Sequence, residues 1–123
     1  MNILVTGGLG YIGSHTVVSL IENNYDIVII DNLSNSKIEV LDKLKQITNK
    51  DIKFYKGDVC DKDLLRKIFK ENDIYGVIHF AGYKAVAESV KLPLMYYRNN
   101  LDSTLTLLEV MNQYKLQVRL QSI

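Results

Sequence analysis

Short apolar runs alternate along this sequence with longer stretches in which apolar residues recur every three or four positions. Four runs are too short for helices: 2–5, 26–30, 52–55 and 76–80. The stretches between and after them each carry one helical stripe, formed by Ile12, Thr16, Val17, Leu20 and Ile21, by Ile38, Leu41, Leu44 and Ile47, by Leu64, Leu65, Ile68 and Phe69, and by Leu101, Leu105, Leu108 and Met111. This alternation predicts repeated βα units.

The strands of these units are expected to lie inside a parallel sheet. Runs such as VII at 28–30 are apolar on both faces, which is typical of strands covered by helices on both sides. The fold class is therefore α/β, a doubly wound parallel sheet. Helix starts are predicted from a capping box at Ser36 and Glu39, from Asp61 as the cap of the third helix, and from Pro93 in the first turn of the last helix.

A glycine-rich stretch, TGGLGYIG at 6–13, lies between the first strand and the first helix. It fits Gly8-x-Gly10-x-x-Gly13 or Gly7-x-x-Gly10-x-x-Gly13, and a glycine turn at a helix N-terminus forms a phosphate site because free amides and the helix dipole favour an anion. A structural strand-to-helix turn is the alternative. No Gly-Lys-Ser/Thr follows, which excludes a Walker loop.

The end of the second strand carries an acid, Asp31, 18 residues after Gly13. In dinucleotide-binding folds an acid at this place accepts hydrogen bonds from the ribose hydroxyls and repels a 2′-phosphate. The pattern therefore favours NAD over NADP and a Rossmann-type sheet of about four to five strands, which the family resemblance given below implies to be incomplete. A solvated strand-end aspartate is the alternative for Asp31.

Two later strand ends face the same edge of such a sheet. Asp58 is predicted to bond adenine while Val59 packs against it, and Ala81 and Gly82 are small enough for a cofactor to lie close. Ordinary turns are the alternative at both places.

Composition and net charge limit the kinds of partner that this chain is expected to bind. The 123 residues, 47% hydrophobic, suit one domain, and a net charge of +1 gives no electrostatic reason to expect nucleic acid or an anionic membrane. No apolar run approaches the ~20 residues of a membrane span. With one cysteine, Cys60, and no cysteine pair beside two histidines, we expect neither a disulfide nor a zinc site, and a cytoplasmic location.

Four blocks of the sequence resemble the start of the UDP-glucose 4-epimerase family, within the extended short-chain dehydrogenase/reductase group. They are TGGLGYIGSH, DNLSNSK, GDV and HFAGYKAVAESVKLPLMYYRNN, and the resemblance runs from Met1 to about Lys115. Related nucleotide-sugar dehydratases share the glycine loop, but the segment 84–89, KAVAES, resembles the epimerases.

The resemblance implies an NAD site and a UDP-hexose substrate. By it, the pyrophosphate lies at Gly7, Gly10, Tyr11, Ile12 and Gly13, the ribose at Asp31, Asn32, Asn35 and Ser36, the adenine at Asp58 and Val59, and the path to the nicotinamide at Phe80, Ala81, Gly82, Lys84 and Asn99. Lys84 is also implied to meet the sugar nucleotide. Family members use NAD to oxidise and re-reduce a sugar carbon, with a tyrosine base in a Tyr-x-x-x-Lys pair, and are implied to be homodimers.

That catalytic pair has no match in this sequence. None of the eight tyrosines is followed four residues later by lysine, and the final QVRLQSI departs from the apolar fifth strand of the family. We therefore predict no catalytic residue, and residues 1–123 as an N-terminal NAD-binding domain truncated at its C-terminal end, with the substrate domain absent and no activity alone. The alternatives are a standalone NAD-binding module, or part of another NAD-dependent nucleotide-sugar epimerase or dehydratase.

Overall fold

A computed structural model describes residues 2–34, 36–80 and 105–111. Strands and helices alternate in the order β1 Asn2–Thr6, α1 Tyr11–Glu22, β2 Asp26–Asp31, α2 Glu39–Thr48, β3 Lys53–Lys56, α3 Lys62–Glu71 and β4 Ile74–His79, and residues 105–111 are helical. The four strands form one parallel sheet in the order β3-β2-β1-β4. The α/β class and the Rossmann-type topology are confirmed.

Each strand end is joined to its neighbour by a backbone hydrogen bond at the carboxyl edge of the sheet. Gly7 N donates to Ile30 O at 2.8 Å, Gly57 N to Asp31 O at 3.2 Å, and Phe80 N to Thr6 O at 2.9 Å. Because β2 and β4 lie on opposite sides of β1, the chain reverses its winding at this edge between β1 and β4, which is where open α/β sheets bind ligands.

The sheet is covered by apolar side chains on both faces. One cluster packs strand residues such as Leu4 and Ile30 against α3 and the helical residues 105–111, and the other packs Ile3, Val5 and Ile29 against α1 and α2. Alternate residues of each central strand enter opposite clusters, as expected for a strand that is apolar on both faces.

The helix-start predictions have two outcomes. Asp61 caps α3 as predicted, because its carboxylate accepts the Leu64 amide at 3.2 Å. The capping box at Ser36 and Glu39 is wrong: α2 begins only at Glu39, with Ile38 in the cap position and no side-chain cap. Ser36 instead donates its hydroxyl hydrogen to Asp31 at 3.0 Å.

The predicted apolar stripes are right in the middle of the helices and partly wrong elsewhere. In 105–111 the fully buried residues are Leu107, Val110 and Met111, whereas Leu105 is 54% and Leu108 36% exposed. Because this helix carries several leucines, more than one of its faces is apolar. Packing against the sheet determines which face is buried. The outer stripe residues Ile12, Ile38 and Ile47 are also exposed, whereas Val17, Leu41 and Leu44 are buried.

Several predictions fall outside the described residues: those for Asn35, Ala81, Gly82, Lys84, Asn99, Pro93 and Leu101, and for the segment 117–123. Among the described helices, none has the length and hydropathy of a membrane span.

Candidate functional site

The glycine turn connects β1 to α1 in a tight backbone loop. Gly7 has a φ of 68°, a left-handed conformation that favours glycine, and its carbonyl oxygen accepts the Gly10 amide at 3.1 Å. The bond from Gly7 N to Ile30 O then ties the turn to β2. These contacts bring the N-terminus of α1 to the carboxyl edge of the sheet.

Gly13 lets the first turn of α1 lie directly on this loop. A Cβ added at Gly13 would overlap the Gly7 carbonyl oxygen and lie 3.1 Å from the Cα of Gly8. The close contact is with backbone, which cannot move aside as a flexible side chain can. The third glycine of the pattern is therefore needed for packing.

Gly10 differs, because the protein leaves space around it. Its φ of −71° suits any residue, and an added Cβ would meet only the Gly7 oxygen, at 3.4 Å. Nothing among the described residues requires glycine here. Because folding does not require glycine here, the missing Cβ fits a group that must approach the main chain closely.

Among the described residues, no side chain caps the N-terminus of α1. Gly10 provides no side-chain cap, and the first turn contains no acid. The first-turn amides of Tyr11, Ile12 and Gly13 have no intrahelical acceptor by helix geometry, and they carry the positive end of the dipole. The contrast with α3, whose N-terminus is capped by Asp61, shows a helix start suited to an external anion.

Asp31 lies beside this turn and is 7% exposed. Its Oδ2 accepts the Leu9 amide of the glycine loop at 3.2 Å, and its Oδ1 accepts the Leu33 amide at 2.8 Å and the Ser36 hydroxyl at 3.0 Å. A carboxylate has about four acceptor positions, so the three bonds from described residues leave one for another donor. The acid predicted to recognise ribose is thus bonded directly to the predicted phosphate loop.

The other described candidates surround the same edge. Asn32 is exposed and its Oδ1 accepts the Ser34 amide at 3.0 Å, while the exposed Asp58 accepts the Cys60 amide at 2.9 Å. Val59 and Phe80 are 4% and 9% exposed and belong to the two core clusters. Their side chains are therefore part of the packed core that borders the carboxyl edge of the sheet.

Two exposed side chains extend outward from the start of α1. Tyr11 is 83% exposed, and its ring meets that of His15 edge to face, with centroids 4.9 Å apart. Ile12 is 46% exposed. Among the residues that the structure describes, no three potential metal ligands group together.

Sequence reasoning missed a buried polar pair, Thr6 and His79, at the carboxyl ends of β1 and β4. Thr6 Oγ1 and His79 Nδ1 are 2.5 Å apart, and the same Oγ1 accepts the Phe80 amide at 3.0 Å. The two residues face each other in the β1 to β4 register and are 0% and 3% exposed. Their position as polar residues at the ends of two apolar runs was the available signal.

Sequence comparison identifies the wider group to which this site belongs. A family model described as GDP-mannose 4,6 dehydratase matches residues 4–123, almost the whole chain. The chain belongs to this family. Membership covers the glycine turn, Asp31 and all four strands.

Within this family, the chain is similar to UDP-glucose 4-epimerases. It is 56% identical over 114 residues to the one from Bacillus subtilis, covering 93% of this chain and 34% of that protein. It is 58% identical over 110 residues to the one from Neisseria meningitidis serogroup A, covering 89% and 32%. The chain therefore spans about a third of the length of these curated relatives, and the predicted resemblance to their N-terminal part is confirmed.

A solved structure agrees with the sequence relatives. The UDP-glucose 4-epimerase from Bifidobacterium longum, in complex with NAD+ and UDP, superposes with a TM-score of 0.94 at 47% identity, covering 99% of this chain and 37% of that one. The likeness extends to a family member that holds a dinucleotide.

Proposed function

We propose that this chain is the NAD-binding part of a UDP-glucose 4-epimerase, which interconverts UDP-glucose and UDP-galactose in galactose metabolism. The observation that carries the proposal is the uncapped start of α1, open at Gly10 and bonded through Leu9 to the buried Asp31. This arrangement offers an anion site and a hydroxyl acceptor side by side. The NAD complex of the Bifidobacterium longum relative supports the cofactor assignment.

Different residues at the carboxyl edge of the sheet are proposed to bind different parts of the cofactor. The first-turn amides of α1 would hold the pyrophosphate, with the glycines of the turn allowing its approach. The proposed ribose contacts are Asp31, Asn32, Asn35 and Ser36; the adenine contacts are Asp58 and Val59; and the nicotinamide side is assigned to Phe80, Ala81, Gly82, Lys84 and Asn99. NAD supplies the reversible oxidation of a sugar carbon. Lys84 is also proposed to contact the UDP-hexose.

Asp31 makes NAD the expected cofactor rather than NADP. A 2′-phosphate would bring negative charge against a buried carboxylate whose fourth acceptor position can only receive a donor. We therefore expect the acid to discriminate the two cofactors by repulsion as well as by hydrogen bonding.

Titration calorimetry of the chain with NAD and NADP tests this assignment. We expect NAD to bind at least about tenfold more tightly, and Asp31→Asn to weaken NAD binding about tenfold because a charged acceptor is lost. Asp51→Asn is the matched control, since Asp51 is fully exposed and its described ion pair is with Lys45, at 3.9 Å. Equal affinity for both cofactors, or an Asp31→Asn variant that binds like Asp51→Asn, would refute the proposal.

Catalysis by these 123 residues alone is not expected, because no tyrosine has a lysine four positions later. A coupled assay with UDP-galactose should show no turnover by the chain, and measurable turnover would overturn this expectation.

For the complete enzyme we propose a cytoplasmic homodimer. Sedimentation of that enzyme tests its oligomeric state. Product analysis of the complete protein separates this epimerase from another NAD-dependent nucleotide-sugar epimerase or dehydratase, and the absence of any continuation would favour a standalone NAD-binding module.

A further inference from the structure

Three donors from two connecting segments of the chain converge on the carboxylate of Asp31. Leu9 belongs to the glycine loop, whereas Leu33 and Ser36 both lie in the segment between β2 and α2. The Ser36 hydroxyl is the only side-chain donor of the three. Both Ser36 and Leu33 bond Oδ1, which leaves Oδ2 directed at the glycine loop.

Because the donors bond separate oxygens, they fix the orientation of the Asp31 carboxylate. With Oδ1 held by two donors, rotation about the side-chain torsions of Asp31 would break two bonds at once. Oδ2 is thereby kept on the Leu9 amide, one residue before the Gly10 whose open side faces the proposed pyrophosphate. The near-complete burial of Asp31 strengthens these bonds, because competing water is largely excluded.

We propose that Ser36 is a positioning residue that, by orienting Asp31, couples the ribose side of the dinucleotide site to the shape of the glycine loop. Asp31 then has two roles: it recognises a ribose, and through Leu9 it holds the phosphate loop in its binding form before any ligand arrives. Ser36 influences both without having to touch the cofactor. This inference rests on the proposed NAD site and replaces the direct ribose contact proposed above for Ser36 with a role that acts through Asp31.

Amide hydrogen exchange of the chain without cofactor tests the structural part. Ser36→Ala is expected to speed exchange of the Leu9 amide about three- to tenfold, the size expected when one typical hydrogen bond is lost and the Leu9 contact is affected only through Asp31. Ser36→Thr, which retains the hydroxyl, should restore protection to within about twofold. Ser34→Ala is the matched control, because Ser34 is exposed and its described hydrogen bond uses only its backbone amide. Unchanged Leu9 exchange in Ser36→Ala would overturn the coupling.

A double-mutant cycle tests whether Ser36 acts through Asp31. Ser36→Ala should weaken NAD binding about three- to tenfold in the wild-type background and less than about twofold in the Asp31→Asn background. Equal losses in both backgrounds would show that Ser36 acts by itself, which contradicts the inference. Absence of NAD binding by the wild-type chain would refute the proposed function but would leave the exchange result to decide the coupling.

Discussion

The glycines of the turn serve two separate requirements, the folding of the chain and the binding of a ligand. Gly7 and Gly13 are required by the chain itself, through a left-handed φ and a backbone contact that a Cβ would obstruct. Gly10 has an ordinary φ and room for a Cβ. Folding and ligand binding should therefore respond differently to a methyl group at positions 13 and 10.

Gly13→Ala is expected to lower the free energy of unfolding by roughly 2 kcal/mol, because the added Cβ overlaps the Gly7 carbonyl and forces the backbone apart. Urea denaturation measures the loss. A variant as stable as wild type would show that α1 does not pack on the turn in this way.

Gly10→Ala is expected to change the free energy of unfolding by less than about 1 kcal/mol, since the backbone conformation is permitted and the nearest atom is 3.4 Å away. NAD affinity should nevertheless fall about tenfold or more, because the methyl group would stand where the pyrophosphate is proposed to approach. Calorimetry and urea denaturation of the same sample separate the two effects. Retained affinity would refute the role given to Gly10.

Polar contacts join individual elements, and the clearest example links β3 to the end of α3. The Tyr55 hydroxyl, on β3, donates to Glu71 Oε2 at the end of α3 at 2.6 Å and accepts a bond from Asn72 Nδ2 at 3.0 Å. Burial, and then the bond to Glu71, raise the pKa of Tyr55, while the bond from Asn72 lowers it, for a net increase.

This raised pKa predicts a loss of stability at alkaline pH. Because the folded chain holds the Tyr55 proton more tightly than the unfolded chain, the stabilisation is complete below the ordinary tyrosine pKa of about 10 and is lost as pH rises through the folded pKa. The urea midpoint of wild type should therefore fall more between pH 9 and pH 11 than that of Tyr55→Phe. Parallel decreases would show that Tyr55 does not contribute.

The helical residues 105–111 provide a matched pair of leucines. Leu107→Ala is expected to lower the free energy of unfolding by about 2–5 kcal/mol, since Leu107 is fully buried in the cluster with α3. Leu105→Ala should change it by less than about 1 kcal/mol, because Leu105 is 54% exposed. Denaturation curves of the two variants decide which face packs. A larger cost for Leu105→Ala would restore the stripe predicted from the sequence.

The whole molecule is organised by one sheet that holds two separate apolar clusters and presents its carboxyl edge to a ligand. Hydrogen bonds between neighbouring strand ends, at Gly7, Gly57 and Phe80, link all four strands at that edge. A ligand bound to the first turn of α1 and to Asp31 would therefore join α1 to the end of β2, which these bonds link to the other strands. Ligand binding should consequently stabilise the chain as a unit.

NAD at about 100 times its dissociation constant is expected to raise the free energy of unfolding by about 2.7 kcal/mol, because it binds only the folded chain. Thermal denaturation with and without NAD measures the shift, and NADP at the same concentration should give a smaller one. The Gly10→Ala variant, with NAD affinity lowered about tenfold, should lose about half of this response or more while melting without NAD at nearly the wild-type temperature. A full response in Gly10→Ala would contradict the proposed site.

The sequence determined the class of fold, the four parallel strands and the glycine turn, because these depend on local periodicity and on glycines at fixed spacing. It also placed Asp31 at the end of β2 and Asp61 at the start of α3. Its assignment of individual residues to parts of the cofactor remains a prediction, and for Asn35, Ala81, Gly82, Lys84 and Asn99 the described structure offers no test.

Tertiary structure alone decided which residues meet across long sequence distances. It paired Thr6 with His79, buried Leu107 in place of Leu105, and turned Ser36 from a helix cap into a donor to Asp31. Sequence patterns cannot decide these matters, since several faces of a leucine-rich helix are equally apolar and one hydroxyl can serve either a helix or a carboxylate. Packing of the helices on the sheet selects among such alternatives, and in doing so it bonded the acid of β2 to the glycine loop of β1.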